Sequence, residues 1–80
     1  MNKQDKINID SLVKKSITHF MGFFESKGNK LYFGNNYYYK RIGNQLYLYL
    51  IYKNESIEVI HTTKIHELVS NIASISRLKS

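Results

Sequence analysis

Residues 45–53 read Gln-Leu-Tyr-Leu-Tyr-Leu-Ile-Tyr-Lys and alternate leucine with tyrosine over most of their length. Successive side chains of a β-strand point to opposite faces of the sheet, so this period of two predicts a strand. One face receives the three leucines, and the other receives Tyr47 and Tyr49. A strand with one face in solvent ordinarily alternates apolar with polar residues. The tyrosines therefore indicate that the second face is a binding or association surface.

Turn signals on both sides of this segment predict further strands. Glycine and asparagine mark turns at residues 34–36 and 43–44, and Asn54-Glu55 is expected to form a third turn. Gly43 comes first in its pair, as a two-residue type II′ turn requires. The resulting antiparallel meander has a short first strand. The predicted strands cover residues 30–33, 37–42, 45–53 and 56–61.

The turn lengths also predict how the strands pair. The first turn pairs Tyr32 with Tyr38, and the second pairs Tyr38 with Tyr49. The third turn is expected to pair Leu50 with Val59. Paired residues share a face, and the three hairpins agree on the division of faces. The predicted core face comprises Leu31, Phe33, Tyr37, Tyr39, Leu46, Leu48, Leu50, Tyr52, Ile57 and Val59. The predicted opposite face comprises Lys30, Tyr32, Tyr38, Lys40, Tyr47, Tyr49, Ile51, Lys53, Glu58 and Ile60.

Apolar residues at three- and four-residue spacing predict an amphipathic helix at each end of the chain. The first helix is expected over residues 11–27, with Asp10 as its N-cap and Gly28 at its C-terminal cap. The second helix is expected over residues 64–77, with Thr62 or Thr63 as its N-cap. The apolar stripes comprise Ile9, Leu12, Val13, Ile17, Phe20 and Phe24 in the first helix, and Ile65, Leu68, Val69, Ile72 and Ile75 in the second.

These elements predict a single small domain over residues 1–80 with a two-layer α+β fold. An antiparallel meander of three or four strands is flanked in sequence by an N-terminal and a C-terminal helix, in the order α-β-β-β-β-α. The helices are expected to pack on the core face. The sequence leaves open whether both helices do so, and a helix on the opposite face would cover the proposed surface.

The order of these elements is similar to that of double-stranded-RNA-binding domains. Those domains carry a cluster of basic residues at the start of their last helix. This chain has only Lys64 there, followed by Ile65, His66 and Glu67. The similarity therefore concerns the order of elements, and no functional residue of that family is carried over.

The chain has a formal net charge of +6, from twelve basic and six acidic residues. A positive charge favours acidic partners such as nucleic acid or an anionic protein surface, although a small soluble domain also keeps its charge away from zero. Ten of the twelve basic residues are lysines, which act as point charges, whereas arginine does most of the bidentate base reading. Any nucleic-acid binding is therefore expected to be directed at the backbone.

The sequence shows no catalytic or metal-binding motif. It contains no cysteine, its acidic residues are scattered, and its serines and glycines form neither a nucleophile elbow nor a phosphate loop. His61 and His66 are five residues apart, whereas paired ligands on a helix are three or four apart. His61 is expected on the core side of the sheet. We therefore expect a non-enzymatic protein with no cofactor and no metal ion.

Location and membrane association follow from composition. The first residues lack the apolar segment of a signal peptide, and no apolar run approaches the roughly 20 residues of a membrane span. Small secreted domains usually carry disulfides, which a chain without cysteine cannot form. We therefore expect a cytoplasmic protein with no membrane partner.

The predicted opposite face is the candidate binding surface. Tyrosines on an open sheet can stack on bases while lysines neutralise phosphates, and tyrosine is equally favoured at protein interfaces. The residues expected to bind a partner are Tyr32, Tyr38, Lys40, Tyr47, Tyr49 and Lys53.

The leading hypothesis is a small module that docks on a macromolecular partner and modulates or inhibits it. The many residues with AT-rich codons indicate an AT-rich genome, and small size without motifs is common among phage and mobile-element accessory proteins. The expected partner is nucleic-acid-handling machinery, because such machinery displays acidic and phosphate-mimicking surfaces. One alternative is direct, largely sequence-independent nucleic-acid binding by the same face. Another is a homodimer through Ile51, Ile60 and the tyrosines.

Overall fold

The computed structural model describes residues 8–78 of the chain. Five strands form one antiparallel sheet in the order β1-β2-β3-β4-β5, between two helices. The fold is a two-layer α+β fold as predicted, with one strand more than the four expected at most. The elements are α1 Asn8–Met21, β1 Phe24–Lys27, β2 Lys30–Phe33, β3 Tyr37–Ile42, β4 Gln45–Tyr52, β5 Glu55–Thr62 and α2 Ile65–Leu78.

Both helices pack on the same side of the sheet, which we call the helix side. Val13 and Ile17 of α1 and Leu68 and Ile72 of α2 are fully buried. The helices also contact each other, and the Ser76 hydroxyl donates a hydrogen bond of 2.9 Å to a carbonyl oxygen of α1. The helical residues share one core cluster with five sheet residues, namely Leu31, Phe33, Tyr39, Leu46 and Leu48. Burial of each large side chain contributes about 1.5–3 kcal/mol, so this cluster is the main source of stability.

Helix α1 ends at Met21, earlier than predicted, because Gly22 terminates it. Gly22 has a φ of 98°, a conformation that favours glycine, and its N–H donates to the Thr18 carbonyl oxygen at 3.0 Å. Phe24 therefore begins strand β1 opposite Phe33 instead of continuing the helical stripe. Gly28, the predicted helix cap, lies in the turn between β1 and β2 with a φ of 60°.

Helix α1 begins at Asn8, so Asp10 lies in its first turn instead of at the predicted N-cap. There Asp10 joins α1 to β3. Arg41 donates two hydrogen bonds to its carboxylate, from Nε to Oδ1 at 3.0 Å and from a terminal nitrogen to Oδ2 at 3.1 Å. The Tyr39 hydroxyl donates a third, at 2.9 Å. The hydrogen bonds from Arg41 hold the pKa of Asp10 below its usual value despite partial burial, and burial raises the pKa of Tyr39.

The first two predicted hairpin registers are confirmed. Tyr32 pairs with Tyr38, and Tyr38 pairs with Tyr49. Gly43 has a φ of 62°, and Asn44 has no positive φ, as expected for a type II′ turn. These two turns therefore align the tyrosines of β2, β3 and β4 across the sheet.

The register predicted for the third hairpin is wrong. Its turn consists of Lys53 and Asn54, with φ values of 53° and 66°, as a type I′ turn requires. Leu50 consequently pairs with Ile57, not with Val59. The shift moves the pairing by two residues, so Ile57 stays on the helix side.

A β-bulge in β5 separates the two halves of this strand. Tyr49 pairs with Glu58, but the neighbouring Leu48 pairs with Ile60. Val59 is the extra residue, and a residue inserted in this way shifts the alternation of side chains beyond it. Odd-numbered residues of β5 therefore face the helix side before the bulge, and even-numbered residues face it after the bulge.

The bulge corrects two predicted positions. Ile60 was predicted opposite the core, yet it packs against the core cluster. His61 was predicted on the core side, yet it pairs with Tyr47 and lies on the other side. The predicted patch of Ile51 and Ile60 therefore does not form, because the two residues lie on different sides of the sheet.

Ile60→Ala tests the bulge, with Ile57→Ala as the matched control in the same strand. We expect Ile60→Ala to lower the free energy of unfolding by about 2 kcal/mol, because the side chain packs on the core. Ile57 is 44% exposed, so its loss should cost below about 1 kcal/mol. Urea denaturation of both variants measures the difference. Equal losses would contradict the shifted alternation.

Asp10→Asn tests the ion pair between α1 and β3. The Asp10 carboxylate is 45% exposed, so we expect a loss of at most about 1 kcal/mol at neutral pH. Folding lowers the pKa of Asp10, so its contribution is complete above the ordinary value of 3.8 and disappears as the pH falls through the folded-state pKa. Denaturation at several pH values should show the gap between the variant and the natural chain closing on acidification. Glu55→Gln, at an exposed carboxylate, is the control. A stability difference that does not change with pH, or one equal to that of Glu55→Gln, would refute a stabilising ion pair between Asp10 and Arg41.

Candidate functional site

The side of the sheet opposite the two helices is covered by no helix or strand of residues 8–78. We call this side the open face. It includes five of the six residues predicted to bind a partner, and the strands hold its side chains at fixed cross-strand spacings. Its strand residues are Glu25, Lys27, Lys30, Tyr32, Tyr38, Lys40, Ile42, Gln45, Tyr47, Tyr49, Ile51, Ser56, Glu58 and His61.

Four tyrosines and a histidine form a continuous row across the open face, which we call the aromatic ribbon. The ring centroid of Tyr38 lies 5.4 Å from that of Tyr32 and 5.0 Å from that of Tyr49. Tyr47 follows at 6.1 Å from Tyr49, and His61 lies 4.4 Å from Tyr47. The ribbon therefore extends from β2 to the edge strand β5.

Three of the four neighbouring ring pairs of the aromatic ribbon are stacked, and the planes of Tyr32 and Tyr38 are tilted at 45°. The planes of Tyr38 and Tyr49 meet at 24°, those of Tyr47 and Tyr49 at 10°, and those of Tyr47 and His61 at 15°. Tyr38, in the middle of the sheet, is only 6% exposed although no helix covers it. Partial burial also raises the pKa of Tyr49, with a smaller contribution from Glu58. The ring faces are therefore largely occupied by neighbouring rings.

Hydrogen bonds fix the middle of this arrangement and its β5 end. The Tyr38 hydroxyl donates to Ser56 Oγ at 3.0 Å, which reaches from β3 across β4 to β5. His61 Nε2 donates a hydrogen bond of 2.5 Å to the amide oxygen Oε1 of Gln45. Side chains held in this way lose little conformational freedom when a partner binds.

Lysines lie over the rings. Lys30 Nζ is 5.1 Å from the centroid of Tyr38, and Lys40 Nζ is 5.6 Å from that of Tyr47 and 5.5 Å from that of Tyr49. These distances fall within the range of cation–π attraction, about 6 Å. The lysine ammonium groups therefore lie over part of the aromatic surface.

The charge of the open face is mixed. Lys27, Lys30 and Lys40 share it with Glu25 and Glu58, and Glu25 Oε2 lies 3.8 Å from Lys27 Nζ. The other basic residues of the described part of the chain lie on the helices, in turns or on the helix side. The net positive charge of the chain is therefore not concentrated on the aromatic ribbon.

The structure brings together Tyr32, Tyr38, Lys40, Tyr47 and Tyr49 as predicted. It places Lys53 elsewhere, in the turn between β4 and β5, with its Nζ 5.3 Å from the ring of Tyr52. The prediction failed because the turn was placed one residue too late, which left Lys53 in a strand.

Among the open-face residues that were not predicted to bind, three adjoin the aromatic ribbon: Lys30, Glu58 and His61. Lys30 and Glu58 had been assigned to this face by alternation but were not selected as binding residues. His61 could not be found from alternation, because only the bulge brings it to the aromatic ribbon.

A shallow groove of about 240 Å³ adjoins the β2 end of the aromatic ribbon. Its lining includes Tyr32, Tyr37, Ile51 and Phe23, and Phe23 is 66% exposed. Glu25 lies at its rim. The groove has the size and apolar character to accept one side chain of a partner.

The described residues show little sign of a reactive centre. Within residues 8–78, no three His, Cys, Asp or Glu side chains are grouped so that they could hold a metal ion. A second groove, of about 270 Å³, includes Asp10, Lys14, Tyr39 and Arg41, but the Asp10 carboxylate is already paired with Arg41. Neither helix has the length and hydropathy that crossing a membrane requires.

No protein-family model, curated protein or solved structure matches this chain. Function must therefore be inferred from the open face itself. The relevant observations are the stacked rings, the lysines above them, the mixed charge and the adjoining groove.

Tyr38→Phe tests the hydrogen bond that holds the middle of the aromatic ribbon. We expect it to lower the free energy of unfolding by about 1 kcal/mol, because Ser56 loses its partner in a partly buried position. Tyr52→Phe is the control, since Tyr52 is 54% exposed. Thermal or urea denaturation measures both. An equal effect in the two variants would contradict a fixed ribbon.

Proposed function

We propose that this chain is a non-enzymatic binding module that docks on a protein partner through the open face, and that docking modulates or blocks the partner. The observation that carries the proposal is an aromatic ribbon, stacked on itself, on a side of the sheet that neither helix covers. Tyr32, Tyr47 and Tyr49 are half-buried and His61 is exposed, so the outer surface of the row remains accessible. Accessible aromatic side chains grouped in one row are typical of an interaction surface.

The stacking geometry favours a protein partner. Tyrosine supplies a large contact area, few rotatable bonds and a polar hydroxyl, and it is enriched among the residues that dominate binding energy. The rings of the aromatic ribbon are already ordered by their neighbours, so binding costs little further side-chain entropy. Their edges and hydroxyls present a preformed amphipathic surface.

The same geometry disfavours nucleic acid. Bases stack on aromatic rings whose faces are free, whereas Tyr47 and Tyr49 face each other. Glu25 and Glu58 also bring negative charge to the surface that phosphates would approach. Direct nucleic-acid binding therefore stands as the alternative that the experiment must exclude.

The surroundings of the aromatic ribbon indicate what the partner presents. The groove beside Tyr32 fits an apolar side chain, and well-packed pockets of this kind hold the anchor residues of interfaces. Lys30 and Lys40 favour carboxylates at the positions facing them. We further propose that the partner is a nucleic-acid-handling protein with an acidic surface. A phage or mobile-element origin and a cytoplasmic location are also part of the proposal. These three points are supported only by the composition of the chain.

Partner capture with matched variants tests this proposal. The chain carries a photo-crosslinking amino acid at Tyr32 and is compared with Tyr47→Ala/Tyr49→Ala and with Tyr52→Ala, whose tyrosine lies on the helix side of the same strand. We expect the chain with no further substitution and the Tyr52→Ala variant to crosslink the same protein. The yield of that crosslinked product should be at least tenfold lower for the double variant. That difference corresponds to about 1.4 kcal/mol or more.

A nucleic-acid titration tests the alternative, direct nucleic-acid binding by the open face. Fluorescence anisotropy of labelled single- and double-stranded DNA and RNA, at two salt concentrations, should show no specific binding. Salt-sensitive binding that is lost in Lys40→Ala/Tyr47→Ala would contradict the proposal and establish a nucleic-acid module. Equal crosslinking by all variants would contradict the open face as the docking surface.

A further inference from the structure

The two edges of the sheet differ in length and in chemistry. Strand β1 has four residues and carries the charged pair Glu25 and Lys27. Strand β5 has eight residues, and its Ile57 and Val59 are 44% and 40% exposed. Short, charged edge strands discourage pairing with another chain, whereas long apolar ones invite it. Strand β5 is therefore the longer and more apolar edge, and its glutamates and its bulge at Val59 restrict the registers in which another strand can pair with it.

We propose that β5 pairs antiparallel with β5 of a second copy of this chain, joining two five-stranded sheets into one sheet of ten strands. Such an interface is isologous, because the same strand serves both copies around a two-fold axis. It uses an edge of the sheet and leaves the open face free. The inference therefore does not depend on the proposed function.

The bulge determines the register. A two-fold axis between Glu58 and Val59 brings the bulge of one strand beside the bulge of the other, so the alternation shifts at the same point in both strands. Each regular pair then joins residues of the same face, as paired strands require. A partner strand without a bulge would pair residues of the same face with β5 on one side of the bulge only, and residues of opposite faces on the other side. The pairs across the axis are Ile57 with Ile60, Ser56 with His61, and Glu55 with Thr62.

The chemistry of these pairs is complementary. On the helix side, the exposed Ile57 of each copy packs against Ile60 of the other. On the open face, Glu58 of one copy is the diagonal neighbour of His61 of the other, which places a carboxylate near an imidazole. Glu58 lies opposite Val59 in this register, so the two glutamates do not face each other directly.

The proposed dimer also has a structural consequence for the open face. His61 ends the aromatic ribbon at strand β5, so the two ribbons of a dimer meet near the axis. A partner with two epitopes could engage both ribbons at once, and the second contact would then be intramolecular.

Sedimentation velocity over a wide concentration range tests the dimer. We expect the mass of two chains at high concentration and that of one chain at low concentration. Ile57→Lys should weaken association at least tenfold, because it places a charge against Ile60 of the other copy. Leu78→Lys, at an apolar site that is 82% exposed, is the matched control and should associate like the natural chain. Circular dichroism confirms that both variants fold.

Disulfide trapping tests the register, since the chain contains no native cysteine. A mixture of Ile57→Cys and Ile60→Cys should form the heterodimeric disulfide, while Ser56→Cys mixed with Ile60→Cys should not, because those residues lie on opposite faces. A single-chain mass at every concentration would overturn the proposal. So would a dimer that tolerates Ile57→Lys but is abolished by Tyr49→Lys, since that dimer would use the open face.

Discussion

The packing of both helices on one side of the sheet is the constraint on which the rest of the structure depends. Ile17 of α1 and Ile72 of α2 are fully buried in one cluster with Leu46 and Leu48, and the other side of the five strands has no covering helix or strand among residues 8–78. A chain of 80 residues has no further long element within residues 8–78 to supply one. The side chains of the open face must therefore cover one another.

Tyrosine meets that requirement because it is amphipathic. Stacking on neighbouring rings removes part of each apolar face from water, and the hydroxyl stays available for hydrogen bonds. Tyr38 shows the result, since it is nearly buried by its neighbours alone and donates to Ser56. The stacking that stabilises the uncovered side also orders the side chains through which we propose that it docks. Stability and the proposed function thus depend on the same contacts.

Much of the fold could be predicted from sequence because its signals are local. Turns with glycine at Gly34 and Gly43 have few conformations open to them, so they fixed two registers and aligned the tyrosines of β2, β3 and β4. Once the registers are known, alternation assigns each strand residue to a face. Tyr32, Tyr38, Tyr47, Tyr49 and Lys40 were found in this way.

The errors arose where tertiary context decides. Phe24 fits a helical stripe as well as a strand, and the φ of Gly22 settles the choice. The turn at Lys53 and Asn54 places a lysine at positive φ, for which composition gives no signal. The bulge at Val59 inserts a residue into an otherwise regular alternation and thereby brings Ile60 to the core. Its consequence for His61 could not be read from the sequence.

Paramagnetic relaxation by a soluble gadolinium chelate tests the central claim, that the aromatic ribbon lies on a side of the sheet that neither helix covers. We expect the relaxation of the side-chain protons of the half-buried Tyr47 and Tyr49 to be below that of Tyr52, which is 54% exposed, and clearly above that of Tyr39. The protons of Tyr39, which is 2% exposed on the helix side, should be protected. If Tyr47 and Tyr49 were as protected as Tyr39, the face would be covered, and the account of its function would be contradicted.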